Sequence, residues 1–312
     1  MAATATTEAV ASQIKSALKF IPRRSAARGH ADHGWLKSYH TCTYTMQHNF
    51  DYSTQYPDHC PFPPLPTVSF ASYQDPAFSQ YGPLRVINED RVDPGEGFGQ
   101  HSHREFEIWS YIISGELEHR DSLGNLEIMK RGDIQMTSTG TGISHSEYNR
   151  NSKTPVHFAQ IWGMPHTKGL KPSYYNRHFT DAEKTNKLVR VVAPVGREGV
   201  IDTRNGQGPA PIRSNITMHA SILEPGQSLS YELAKTTKRA FLHLLMCSGY
   251  RKPSVSASDK YDHGGAILKL NQGLVLEEGD ASFIEVNQDG ERTLEVKNVA
   301  DTEGEWLLFE ME

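Results

Sequence analysis

From about residue 84 the chain breaks into short runs of alternating apolar and polar positions, each closed by turn-forming residues. LRVINEDRV (84–92) alternates and stops at Pro94-Gly95. FEIWSYIISGELEHRD (106–121) is rich in β-branched and aromatic residues and breaks at Ser122-Leu123-Gly124-Asn125. LEIMKRGDIQMTS (126–138) turns at Arg131-Gly132-Asp133, and VHFAQIWGMP (156–165) ends at Pro165. Short strands at regular spacing with Gly-rich turns predict a sandwich or barrel. A linker is expected at about residues 165–187. Beyond it the pattern recurs as ITMHASILEPG (216–226), SLSYELAKTTKRAFLHLLMCSG (228–249), LEEGDASFIEV (276–286) and TLEVKNVADTEGEWLLFEM (293–311). The turn LEEGD (276–280) has the same sense as MKRGD (129–133). The expected fold is all-β, with two tandem antiparallel β-barrels, the second diverged from the first.

The length of 312 residues suits two domains of ordinary size. Their expected limits are 28–180 and 187–312, after a flexible tail over 1–27. That tail is basic, with one acidic residue, Glu8, and lacks the apolar stretch of a secretory signal; a weak mitochondrial-type presequence is the other reading. A net charge of −5 disfavours direct nucleic-acid binding. Three scattered cysteines, Cys42, Cys60 and Cys247, give no disulfide framework and no CxxC zinc pair, which fits a reducing, intracellular setting. No apolar run reaches the roughly 18 residues of a membrane span. Residues 42–68 differ from the rest: five prolines, no hydrophobic period, and no Lys or Arg.

The chemistry concentrates in PGEGFGQHSHREFEIWSYIISGELEH (94–119). Two histidines at i and i+2 on a strand share a face, so His101 and His103 can reach one ion. In TSTGTGISHSEYN (137–149) the same parity pairs His145 with Glu147. Facing strands of a small barrel would bring the two pairs together inside it. Three imidazoles and a carboxylate without thiolate suit iron, manganese, copper, nickel or zinc. On an octahedral metal they leave two open positions for O2 or a bidentate substrate, which ranks Fe(II) first and Mn, Ni and Cu behind it. Zinc is weaker, because four-ligand zinc sites tend to be closed. Glu147 is also a candidate base for a phenolic proton. Glu107, four residues beyond His103, is expected on the same face, orienting a ligand histidine. The remaining histidines, His30, His33, His40, His119, His157, His166, His178, His219, His243 and His263, are read as ordinary polar groups. The C-terminal repeat has neither HxH nor HxE and is expected to be metal-free.

These stretches, together with RGHADHGWLKSYHT (28–41) and RGDIQMTSTGTGISHSEYN (131–149), resemble the pirins of the cupin superfamily. The cupin spacing appears as Gly95, His101, His103 and Glu107, then Gly142, His145 and Asn149. The resemblance implies a bicupin of two jelly-roll barrels packed face to face, with iron only in the first. It carries the ligands over to His101, His103, His145 and Glu147. Two roles are implied. One is an iron-dependent dioxygenase of the quercetin 2,3-dioxygenase type, acting on a small aromatic, flavonol-like substrate with O2. The other is a nuclear, redox-sensing cofactor with a transcription-factor partner, for which Arg104 and Arg150 are the nearest basic-patch candidates. A monomer in cytoplasm or nucleus is expected. Where pirins read HTFSFA, this chain reads HT, then residues 42–68, then SFA. Codons for Cys42-Thr43-Tyr44 and for Thr67-Val68 can hold splice signals. Residues 42–68 are therefore expected to be a retained intron translated in frame; the alternative is a surface loop.

Overall fold

A computed structural model describes residues 16–42, 80–249 and 265–312. Residues 43–68 of the foreign segment, and residues 1–15 of the expected tail, lie outside the described residues. The expected all-β architecture is observed. Each half is a flattened jelly roll of two opposed sheets, seven-stranded and four-stranded.

In the first half the large sheet runs Ser173–His178, Asp133–Ser138, Glu107–Ser114, Val156–Gly163, Leu84–Val92, Leu36–Cys42, Gly29–Asp32. Its small sheet runs Gly97–His103, Ile143–Tyr148, Glu116–Asp121, Leu126–Lys130. In the second half the large sheet begins at Leu18–Arg23 and continues through Ala281–Val286, Arg239–Leu244, Gly304–Met311, Ile216–Leu223, Val189–Pro194 and Ala210–Ile212. Its small sheet runs Ser228–Glu232, Thr293–Asn298, Ile267–Leu270, Val275–Glu277.

The two large sheets pack against each other through a core that includes Trp109, Tyr111, Met136 and Ile161 from one half and Met218, Phe241, Leu307 and Phe309 from the other. Each half also has its own interior. Leu36, Val92, Phe98, Ile112, Leu117 and Phe158 fill one, and a leucine-rich set around Leu242 and Trp306 fills the other. The central large-sheet strands are therefore covered on both faces, while edge strands such as Gly29–Asp32 keep exposed positions. Gly304–Met311 is buried at every position, and Glu107–Ser114 at all but the last. The alternation of LRVINEDRV does not mark a solvent face either: Asn88, Glu89 and Asp90 are all buried. True alternation appears in the small sheets, as in Thr293–Asn298.

Two expectations are corrected. Residues 18–23 are not a loose tail, because Leu18–Arg23 pairs residue for residue with Ala281–Val286. Leu18 and Phe20 reach the second half's core, which anchors the strand. Nor is 165–187 simply a linker. Ser173–His178 is an edge strand against Asp133–Ser138, and Asp181–Lys184 is a helical turn closed by a capping box at Thr180 and Glu183. No helix among the described residues is long and apolar enough to cross a membrane.

The two halves repeat each other in detail. In both Gly-Asp turns the aspartate accepts a backbone N–H three residues back, Asp133 from Lys130 and Asp280 from Glu277. Asn149 donates to the carbonyls of Val92 and Thr154, and Asn298 to those of Leu223 and Thr302. Counting back four and two residues from each asparagine, Leu294 and Val296 stand where the first half has His145 and Glu147. Both are core residues of the second half and carry no donor atom.

Candidate metal centre

The strand Gly97–His103 carries the HxH pair. Its antiparallel neighbour Ile143–Tyr148 places His145 directly opposite His101. On its other side Ile143–Tyr148 pairs with Glu116–Asp121, setting His145 opposite Asp121 and Glu147 opposite His119. Residues two apart on one strand share a face, so each strand contributes a pair to the same interior surface. The register shifts here: His145 to Glu147 spans two residues and the facing His101 to Phe98 three, so the extra residue lies on Gly97–His103. Gly97 permits the close approach there, since a Cβ would collide with the Glu147 carbonyl and the Tyr148 backbone.

The donor atoms of His101, His103 and His145 lie within 4.8 Å of one another, and so do those of His119, His145 and Glu147. The two groups share His145, so Glu147 is linked to His101 and His103 only through it. The ring centroids of His101 and His145 are 4.4 Å apart, and those of His103 and His145 5.0 Å. His101 Nδ1 is 2.8 Å from the Gly99 carbonyl, to which it must donate. Glu147 accepts from Gln160 Nε2 at 3.1 Å and lies 3.5 Å from Ser110 Oγ. Trp162 meets His103 edge-on at 4.7 Å, and Phe106 lies 5.2 Å from Trp162.

The electrostatics suit a cation. Burial, reinforced by neighbouring imidazoles, lowers the His103 pKa to about 3 and holds His145 well below its ordinary 6.5. These rings are therefore neutral near pH 7, with lone pairs to give. Burial raises the Glu147 pKa, with His119, His101, Gln160 and Ser110 pulling it back. A positive ion would complete that balance. His145 Nε2 is buried without a hydrogen-bond partner. A buried polar atom left so is costly, and a metal is one group that would satisfy it.

Glu107 is a correction. It accepts from Ser138 Oγ at 2.6 Å and from the Arg213 backbone N–H at 3.0 Å, not from a ligand histidine. Strand parity fails between His103 and Glu107 because the strand stops at His103 and Glu105 adopts φ 60°. His119 went unrecognised as part of the cluster. Its signal was present as a third same-face pair, His119 and Asp121, on the strand next to His145. Several other histidines are ordinary polar groups as expected: His40 contacts Asn88, His178 contacts Asp133, and His157 and His243 contact Glu89. Arg150 pairs with Glu118 at 3.1 Å and lies over the Tyr148 ring. Arg104 is exposed just past His103.

Residues 43–163 match the family model described as Pirin. A quercetin 2,3-dioxygenase of Escherichia coli (strain K12) is 41% identical over 177 residues, 57% of this chain; the match spans 64% of that relative's length. A pirin-like protein of Caulobacter vibrioides is 31% identical over 85% of this chain and 94% of its own length. Among solved structures, the E. coli bacterial pirin YhhW in complex with nickel(II) superposes with a TM-score of 0.68 at 28% identity, covering 94% of this chain and 99% of that one. The chain belongs to the pirin family, within the cupin superfamily.

Proposed function

We propose that His101, His103, His145 and Glu147 hold one divalent metal, Fe(II) ahead of Mn, Ni and Cu, and that the chain is a dioxygenase of the quercetin 2,3-dioxygenase type. The observation that carries this reading is the convergence of neutral imidazoles and a buried carboxylate, with one imidazole nitrogen buried and unpaired. The name of the E. coli relative supports the dioxygenase class, and the nickel in the YhhW complex supports a metal in this fold. When bound, the metal supplies the redox chemistry with O2. Glu147 takes the proton of a substrate hydroxyl. Gln160 and Ser110 fix where that base stands. Trp162, Phe106 and the His103 ring offer aromatic surface against which a flat, flavonol-like substrate would lie.

The test is metal analysis of the purified protein, then O2 uptake with quercetin after loading with Fe(II), Mn(II), Ni(II) or Cu(II). One metal per chain and quercetin-dependent O2 consumption are expected. His101→Ala and His145→Ala should each lose both metal and turnover. Metal retained at full stoichiometry in both variants overturns the ligand set, and quercetin binding with no O2 uptake under any metal overturns the dioxygenase.

A further inference from the structure

His145 Nδ1 lies 3.4 Å from His119 Nδ1, and His119 Nε2 lies 3.3 Å from Asp121 Oδ2. His119, His145 and Asp121 are all buried. Asp121 is itself held by four donors. Its Oδ1 accepts from the backbone N–H groups of Leu123 and Asn125, both at 2.9 Å, and its Oδ2 accepts from Asn125 Nδ2 at 2.7 Å and from His119. Tyr174 packs against the His119 ring with centroids 5.1 Å apart.

With both imidazoles neutral, hydrogen-bond chemistry allows one proton arrangement along this line. A carboxylate only accepts, so His119 carries its proton on Nε2. Its Nδ1 is then a lone pair, and His145 must donate from Nδ1. The lone pair of His145 is left on Nε2, the buried atom that has no partner in the protein. We propose that Asp121 and His119 are positioning residues that fix the tautomer of His145 and so present its Nε2 to the metal. The inference rests on the metal reading above and extends it to a three-residue line. A histidine standing between a ligand histidine and its carboxylate sets the ligand's tautomer and orientation as a directly bonded carboxylate would.

Asp121→Asn probes the line at its far end. The amide places an NH2 group where donors already converge. His119 then accepts at Nε2, carries its proton on Nδ1, and drives the His145 proton to Nε2, which blocks coordination. His119→Phe keeps the ring packed against Tyr174 and removes the hydrogen bonds, so it separates packing from tautomer control if Asp121→Asn disturbs the turn. Two measurements are made. In the metal-free protein, 15N-edited imidazole spectra should show His145 protonated on Nδ1 and His119 on Nε2, with both reversed in Asp121→Asn. In competition with a chelator, Ni(II) affinity should fall on the order of 10- to 100-fold in both variants. A wild-type His145 protonated on Nε2 overturns the proposal, as does Ni(II) affinity within twofold of wild type in both variants. Failure of the wild type to take up one Ni(II) per chain overturns the metal reading itself, and is seen without any variant.

Discussion

His219 shows what one buried side chain costs. It is 6% exposed, and burial lowers its pKa to about 4, with Arg190 helping and Glu310 opposing. The unfolded chain takes up a proton near pH 6.5 while the folded chain does not. The stability contributed by neutral His219 is thus present above pH 6.5 and is lost as pH falls toward 4. From a depression of that size, His219→Phe should lose about 2–3 kcal/mol less than wild type between pH 7.5 and 4.5. Paired urea melts at the two pH values measure this; equal losses would refute it. At this same scale the sequence was most informative inside single strands. His101 with His103, and His145 with Glu147, are legible because parity is exact over two residues. Parity does not reach Glu107 because the strand is interrupted at Glu105, where φ is positive. His119 was passed over because a lone histidine in a strand is usually only a polar group, and its pairing partner Glu147 is known only from register.

Among the elements, the two kinds of sheet explain which strands the pattern revealed. A small-sheet strand such as Thr293–Asn298 faces solvent on one side and alternates, whereas the central large-sheet strands Glu107–Ser114 and Gly304–Met311 are covered on both sides and lose that alternation. Within the first half, the inward positions of the large-sheet strands change character along their length. Ile112 and Phe158 join the apolar core, while Ser110 and Gln160, two residues away on the same strands, hold Glu147. A polar residue at an inward position therefore marks the end of the barrel that carries the site. The small sheet must approach closely there, and Gly97 allows it. Gly97→Ala would push the strand Gly97–His103 away from the Glu147 backbone. It is expected to cost about 1–3 kcal/mol, as overpacking does, and to weaken Ni(II) binding, because the HxH pair moves relative to His145. Denaturant midpoints and chelator competition check both, and an unchanged Ni(II) affinity would show that the approach is not needed for the site.

At the level of the whole molecule, the sequence showed that there were two halves, through LEEGD and MKRGD, but not what joins them. The reason is physical: the joining groups come from distant, unrelated stretches, and beside the apolar core between the large sheets they include a buried polar cluster that no local pattern marks. Glu89 is fully buried, with His157 from its own half at 2.9 Å, His243 from the other half at 2.9 Å, and the Met246 backbone N–H at 2.7 Å; Arg28 lies 3.5 Å away. Burial alone would raise the Glu89 pKa, but the donated hydrogen bonds from His157 and His243 win and hold it well below 4.5. Its contribution is therefore present above the ordinary carboxylate range and is lost as pH falls below it. Glu89→Gln removes the charge and turns one acceptor into a donor facing other donors. Breaking a buried pair in this way costs about 3–5 kcal/mol. The expected loss at pH 7 lies in that range and shrinks in strong acid, where wild-type Glu89 also becomes neutral. Because Glu89 bonds across both halves, the loss should fall on their association as well as on the first half. Calorimetry should then show one transition in wild type and two in Glu89→Gln. A single transition with an unchanged midpoint would mean that the apolar contact between the large sheets holds the halves together without this carboxylate.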